Sequence, residues 1–150
     1  MSSLAVRTDF LSFLTTNAPT ENVLDLTGSY LEVHDFVIEN GLTVDDPWLG
    51  VQFIGSDEVP VTIDATNNQG RYREIGAFYL HVVDIAKLTA SSNILTRGEA
   101  LRNLLRARRI NDIVIESVSP LNFDDGATLQ FDGGYISASF IATYNRDFTL

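Results

Sequence analysis

The 150-residue chain has no cysteine, a single lysine and a single tryptophan, and its charge is mostly of one sign, with twenty acidic residues against ten basic ones. Without cysteine there is no disulfide, no thiolate nucleophile and no cysteine-bearing zinc site. With Lys87 alone there is no lysine cluster to follow a phosphate backbone. The longest uncharged apolar runs, such as "AFYLHVV", fall far short of the ~20 residues that span a bilayer. The start, "MSSLAVRTDF", carries Arg7 and Asp9 and does not read as a secretory leader. The composition predicts a soluble protein that needs no oxidative processing, with enough chain for one domain that hides roughly 70% of its surface.

Reaction signatures are missing too. There is no phosphate-binding Gly-x-x-x-x-Gly-Lys loop, no Gly-x-Ser-x-Gly elbow and no Gly-x-Gly-x-x-Gly turn. His34 and His81 stand alone on separate predicted strands, where a histidine is ordinarily a hydrogen-bonded sheet or surface residue. Asp45-Asp46 and Asp124-Asp125 sit beside Pro47 and Gly126, which is turn chemistry. Neither supplies the alternate oxygens and closing glutamate of a calcium loop. Tyr72 between Arg71 and Arg73 could stack a base, but in so acidic a chain a solvated strand end explains the trio better. No catalytic residue, cofactor or metal is expected.

What is present begins with helical periodicity. Val6, Phe10, Phe13 and Leu14 recur at i, i+4, i+7 and i+8 with Leu11 beside them, and Asn17-Ala18-Pro19 stops the helix. "NVLDL" and "YLEVHDFVI" alternate like strands, "ENGLTVDDP" reads as loop, and "WLGVQFI" (48–54) as a strand packing through Trp48, Val51 and Phe53. "EVPVTI" (58–63) is a separate short strand that Pro60 confines to an edge, and "DATNNQG" is loop. "RYREIGAFYLHVVDI" (71–85) has the strongest strand signal, apolar on both faces in its second half and so central, with Gly76 marking a bulge or bend. "DIVIESVSP" (112–120), a piece near "TLQF" and "YISASFIATY" (135–144) close the chain. Helix, strands, helix, strands with short joins predict a single α+β domain over 1–150, a mainly antiparallel or mixed sheet with two helices packed against it.

Charge is unevenly distributed. Residues 1–64 hold eleven acids and one base and carry the whole net charge of −10, whereas residues 65–150 hold nine of each. Half of the bases lie in "TRGEALRNLLRARRI" (96–110). Thr96-x-x-Glu99 reads as a capping box opening a helix whose buried stripe is Ala100, Leu101, Leu104 and Leu105. Arg102, Arg106 and Arg109 then fall at i, i+4 and i+7 on another face. Plain solvated charge is one reading of that row, and contact with a neighbouring subunit's carboxylates is another. Binding to DNA fits poorly with so acidic a chain.

The order of these features resembles the tail terminator (tail completion) proteins of long, non-contractile-tailed bacteriophages. The likeness covers about residues 3–145. It runs through an N-terminal amphipathic helix, an acidic segment, the strand "PWLGVQF", the arginine-flanked strand "RYREIGAFYLHVV", a helix of the type "TRGEALRNLLRAR" and closing strands. The family pattern has a glycine-rich lead-in before the second helix, where this chain has "KLTASSNILTRGEA". The resemblance implies a structural virion protein without an active site, forming a six-membered ring that caps the tail tube, ends its polymerisation and joins tail to head. The implied partners are copies of itself, the tail tube protein and a head-completion or neck protein. DNA would pass through the ring without sequence-specific binding, and no membrane is involved. The implied location is the head-proximal end of the virion tail, after assembly in the host cytoplasm. On that basis Arg102, Arg106 and Arg109 are expected at the subunit interface. The loop from Gly55 to Gly70, with Asp57, Glu58 and Asp64, is expected to face the channel or the tube. Another neck or head-closure protein, or a small ligand-binding α+β domain or enzyme, is the alternative.

Overall fold

The computed structural model describes residues 2–27, 37–43, 45–62, 70–123 and 134–149. The elements are α1 (Ser2–Asn17), β1 (Val23–Asp25), β2 (Trp48–Thr62), β3 (Arg71–Ile85), α2 (Ala90–Leu105), β4 (Arg109–Ile110), β5 (Ile113–Val118), β6 (Asn122–Phe123) and β7 (Tyr135–Thr149). The strands form one sheet in the order β1-β2-β3-β7-β5-β4, with β6 also paired to β7. Every pairing is antiparallel except β1 with β2. This is the single α+β domain expected, with β3 central as its two apolar faces imply.

One face of the sheet carries the main core. Leu49, Val51, Phe78, Leu80, Val82, Ala138, Phe140, Ala142 and Tyr144 lie against Val6, Phe10 and Leu14 of α1 and Ile94, Leu101 and Leu105 of α2. Phe10 stacks on Phe78 with ring centroids 3.9 Å apart, so the aromatic face read from α1 is the face it buries. On the opposite face Leu24, Val37, Trp48 and Val83 make a smaller cluster with Leu26, Leu42 and Tyr135 around it.

Three elements differ from expectation. Residues 37–39 are helical rather than the end of a strand, and the rest of "YLEVHDFVI" up to 36, including His34, lies outside the described residues. β2 is one 15-residue strand, not two strands with a loop starting at Gly55. The ladder absorbs the irregular spot as a bulge between Phe53 and Gly55, where Gly55 takes φ +130, a conformation that disfavours any side chain. Gly76 lies across that bulge. A Cβ there would meet the Gly55 carbonyl oxygen and the Tyr144 hydroxyl at 2.6 Å, so close approach explains this glycine better than bending does.

The third difference is α2. It starts at Ala90 after Thr89, whose side chain makes no capping bond, and Thr96 lies in its middle, so there is no capping box at Thr96-Glu99. The buried stripe runs Ala90, Ile94, Gly98, Leu101, Leu105, and the helix begins about two turns upstream of the expected cap at Thr96. Ala100 is exposed and Leu104 half-buried, so only Leu101 and Leu105 of the expected stripe are core. Gly98 is the stripe's contact point with Leu121, which a Cβ would meet at 2.5 Å. The predicted turn at Asp124-Asp125-Gly126 and the strand near "TLQF" lie outside the described residues.

Candidate functional site

The arginines of the second helix are not a helical stripe. α2 ends at Leu105. Arg106 caps it in an extended conformation, Ala107 follows at φ +50, and Arg109 is already in β4. Arg102 stays on the last helical turn and is committed within the chain. Its Nε donates to the Ser119 carbonyl at 2.7 Å and its Nη1 to both Glu99 oxygens at 2.8 and 3.1 Å. Its side chain is 11% exposed, so most of it is held by partners within the chain.

Arg106, Arg108 and Arg109 form an exposed knuckle instead. Arg106 donates to Asn103 Oδ1, Arg108 to the Leu104 carbonyl and Arg109 to the Asn111 carbonyl, each at 3.1 Å. Arg108 also lies over the Phe13 ring, 5.8 Å from its centroid. None of the three pairs with a carboxylate among the described residues, whereas Arg7, Arg71, Arg73, Arg97, Arg102 and Arg146 all do. Arg108 was not singled out from the sequence, because helical spacing placed it off the row.

At the other edge of the sheet, Asp57 and Glu58 are strand residues, paired with Ile75 and Glu74 of β3. They belong to an arm in which residues 56–62, 71–75 and 145–149 run side by side. No residue of those three stretches belongs to either core cluster. Val59, Val61 and Ile75 are 47%, 45% and 43% exposed there. β1 pairs with β2 only from Leu49 to Val51, so beyond Ile54 no described strand lies along the outer edge of β2. Asp64, the third expected acid, is outside the described residues.

The arm is held by ion pairs and by an aromatic stack outside both core clusters. Arg71 and Arg73 both grip Asp147, at 2.9 Å and 2.8 Å, and Tyr72 on the other face stacks on Phe148 at 5.8 Å. Ring and guanidinium thus point to opposite faces and have partners of their own. The Arg73 hydrogen bond lowers the Asp147 carboxyl below its ordinary range. Glu74 is fully buried, accepts from the Tyr144 hydroxyl at 3.0 Å and faces Arg146 at 3.5 Å. Burial, then the Glu74 charge, pushes the Tyr144 hydroxyl well above its usual value.

The remaining polar residues brace the fold. Arg97 makes a bidentate pair with Glu21 at 2.6 and 2.9 Å and also donates to the Val83 and Trp48 carbonyls, tying α2 to the chain after α1 and to the sheet. His81 is buried in β3 and stacks on Tyr79 at 4.6 Å. Asp46 accepts the Thr43 amide at 2.8 Å, which is the turn role read from its sequence. A groove between the end of α1 and α2, lined by Ala18, Pro19, Ala100, Leu101 and Leu104, is mainly apolar. Among the described residues no three His, Asp or Glu side chains converge as a metal site, and no helix is long and apolar enough to cross a membrane. No protein-family model matches the sequence, and no curated protein is detectably similar to it.

Proposed function

We propose that this chain is a structural protein of a phage virion, a tail terminator whose ring, hexameric by the family resemblance, caps the tail tube, stops its polymerisation and joins it to the head. The observation that carries the proposal is the arm. β2, β3 and β7 each run for 15 residues, and their far ends extend past both core clusters as a charged stretch of sheet, with half-exposed aliphatic side chains around the buried Glu74 and Arg146. No described strand lies along the outer edge of β2 beyond Ile54, and an open edge of that kind invites pairing with another chain. A protein that works by fitting against neighbours uses both the edge and the exposed aliphatics.

In this reading the tail tube protein meets one face of the ring and a neck protein the other, and DNA passes through without being gripped. The acidic character of residues 1–64 suits a wall that repels phosphate. The protein would act in the virion, at the head-proximal end of the tail, after assembly in the host cytoplasm. No step of this function requires bond chemistry. Negative-stain microscopy of the protein mixed with tail tubes is the test. Tubes of fixed length bearing a ring at one end support it. Binding to filled heads but not to tubes would make it a neck protein, and binding to neither would refute the assignment.

A further inference from the structure

The sheet has two outer edges, and they carry opposite charge at the same height. The pairing runs Arg109 to Val114, Val114 to Asn145, Asn145 to Ile75 and Ile75 to Asp57. Arg109 and Asp57 are thus the two ends of one row across the sheet. Cross-strand partners point to the same face, so both side chains belong to one face. The next row runs from Ile110 through Ile113, Arg146 and Glu74 to Glu58. Four strand spacings separate the ends, about 19 Å at ~4.8 Å each. Arg106 and Arg108 flank the positive end, and Asp57 with Glu58 forms the negative one.

We propose that these edges are the two halves of one contact between copies of this chain, the Arg106–Arg109 knuckle of one copy meeting Asp57 and Glu58 on β2 of the next. The inference rests on the assembly reading above and names its interface. Four successive antiparallel pairings make β4 run the same way as β2. A rotation about an axis along the strands therefore brings the β2 of one copy beside the β4 of another, with Asp57 next to Arg109 on a shared face. Charge also selects the mode of association. A two-fold contact through β2 would set Asp57 and Glu58 against themselves, and one through β4 would set arginine against arginine. Only the head-to-tail contact joins unlike edges, and repeated by rotation such a contact closes into a ring. Pro60 on the β2 edge and the two-residue length of β4 keep the backbone ladder short, which leaves side-chain charge to set the register. A polyanion is the other partner for three arginines, but Asp9 lies in the same surface recess as Arg109. An acidic edge of matching height suits the knuckle better than phosphate does.

The natural absence of cysteine allows a direct test. In a chain carrying both Asp57→Cys and Arg109→Cys, the two thiols of one molecule are too far apart to bridge, since a disulfide needs Cα atoms within about 7 Å. Oxidation should therefore give a ladder of cross-linked species ending at the closed ring, whereas each single variant stops at dimers. In parallel, the triple change Arg106→Glu, Arg108→Glu and Arg109→Glu should return the light-scattering mass to that of one chain. Adding Asp57→Arg and Glu58→Arg to it should restore assembly. An oligomer that forms no ladder and ignores the triple change overturns the interface while leaving the ring intact. A wild-type chain that stays monomeric at every concentration, with no ladder, overturns both. Retained assembly with loss of duplex DNA binding in the triple variant would give the knuckle to nucleic acid and refute the proposal.

Discussion

The two ends of the same three strands differ in almost everything that makes a protein stable. Near residues 48–53, 77–85 and 135–144 the sheet is sandwiched, with α1 and α2 on one face and the Trp48 cluster on the other. Past Gly55 and Gly76 the strands continue outside both hydrophobic clusters, with Glu74 and Arg146 as their buried residues. Apolar burial holds the body, and paired strands with ion pairs hold the arm. On the assembly reading proposed above, the contrast puts the working surface on the arm.

Changes in the body should be the costliest. Phe78→Ala removes the ring stacked on Phe10 and touching Phe53 and Tyr144, and should cost about 4 kcal/mol in urea unfolding. A loss under 1 kcal/mol would mean the body is looser than its packing. Glu74 tests whether the arm has an anchor of its own. Glu74→Ala leaves Arg146, itself 8% exposed, without its buried partner and should cost about 3 kcal/mol by the same measurement. A neutral result would make the arm a passive extension.

At the border, Gly76→Ala forces the strands apart where the Tyr144 hydroxyl and the Gly55 carbonyl press in, and should cost about 2 kcal/mol. Acid probes the ion pairs. Burial raises the Asp25 carboxyl, but the hydrogen bonds from Arg7 and Thr27 outweigh it and leave the group below its ordinary value near 3.8. Such a group contributes stability at pH values above that value, and the contribution is lost as pH falls through the lower folded one. Asp25→Asn should therefore flatten the stability profile below about pH 4 while leaving its slope near neutrality unchanged. The smallest effect on folding belongs to the arm's surface. Val59→Ser should change stability by less than about 0.5 kcal/mol yet weaken assembly measured by light scattering.

Legibility in the sequence follows the same division. α1 and β3 were readable because their periodic apolar residues meet one continuous core, so local pattern and tertiary packing agree. The arm was readable only in pieces, because Glu58 and Pro60 fit a short edge strand, while Asp57 joins that strand to residues 48–54 only through long-range pairing with Ile75 of β3. The start of α2 was misplaced for a related reason. Thr96 and Glu99 have capping spacing, but burial of Ala90 and Ile94 begins the helix earlier. That error carried the arginine row with it, since a helix ending at Leu105 cannot hold Arg106 and Arg109 in register with Arg102. The opposed edges depend on distant pairings, Asp57 with Ile75, Ile75 with Asn145 and Asn145 with Val114, and no local spacing encodes those.

The central claim is that this molecule works by joining copies of itself edge to edge. The most direct measurement is its mass in solution by light scattering as concentration rises, at low and high salt. A mass that climbs to one closed multiple of the chain and falls back in high salt is the predicted result. A mass fixed at a single chain under both conditions would contradict it.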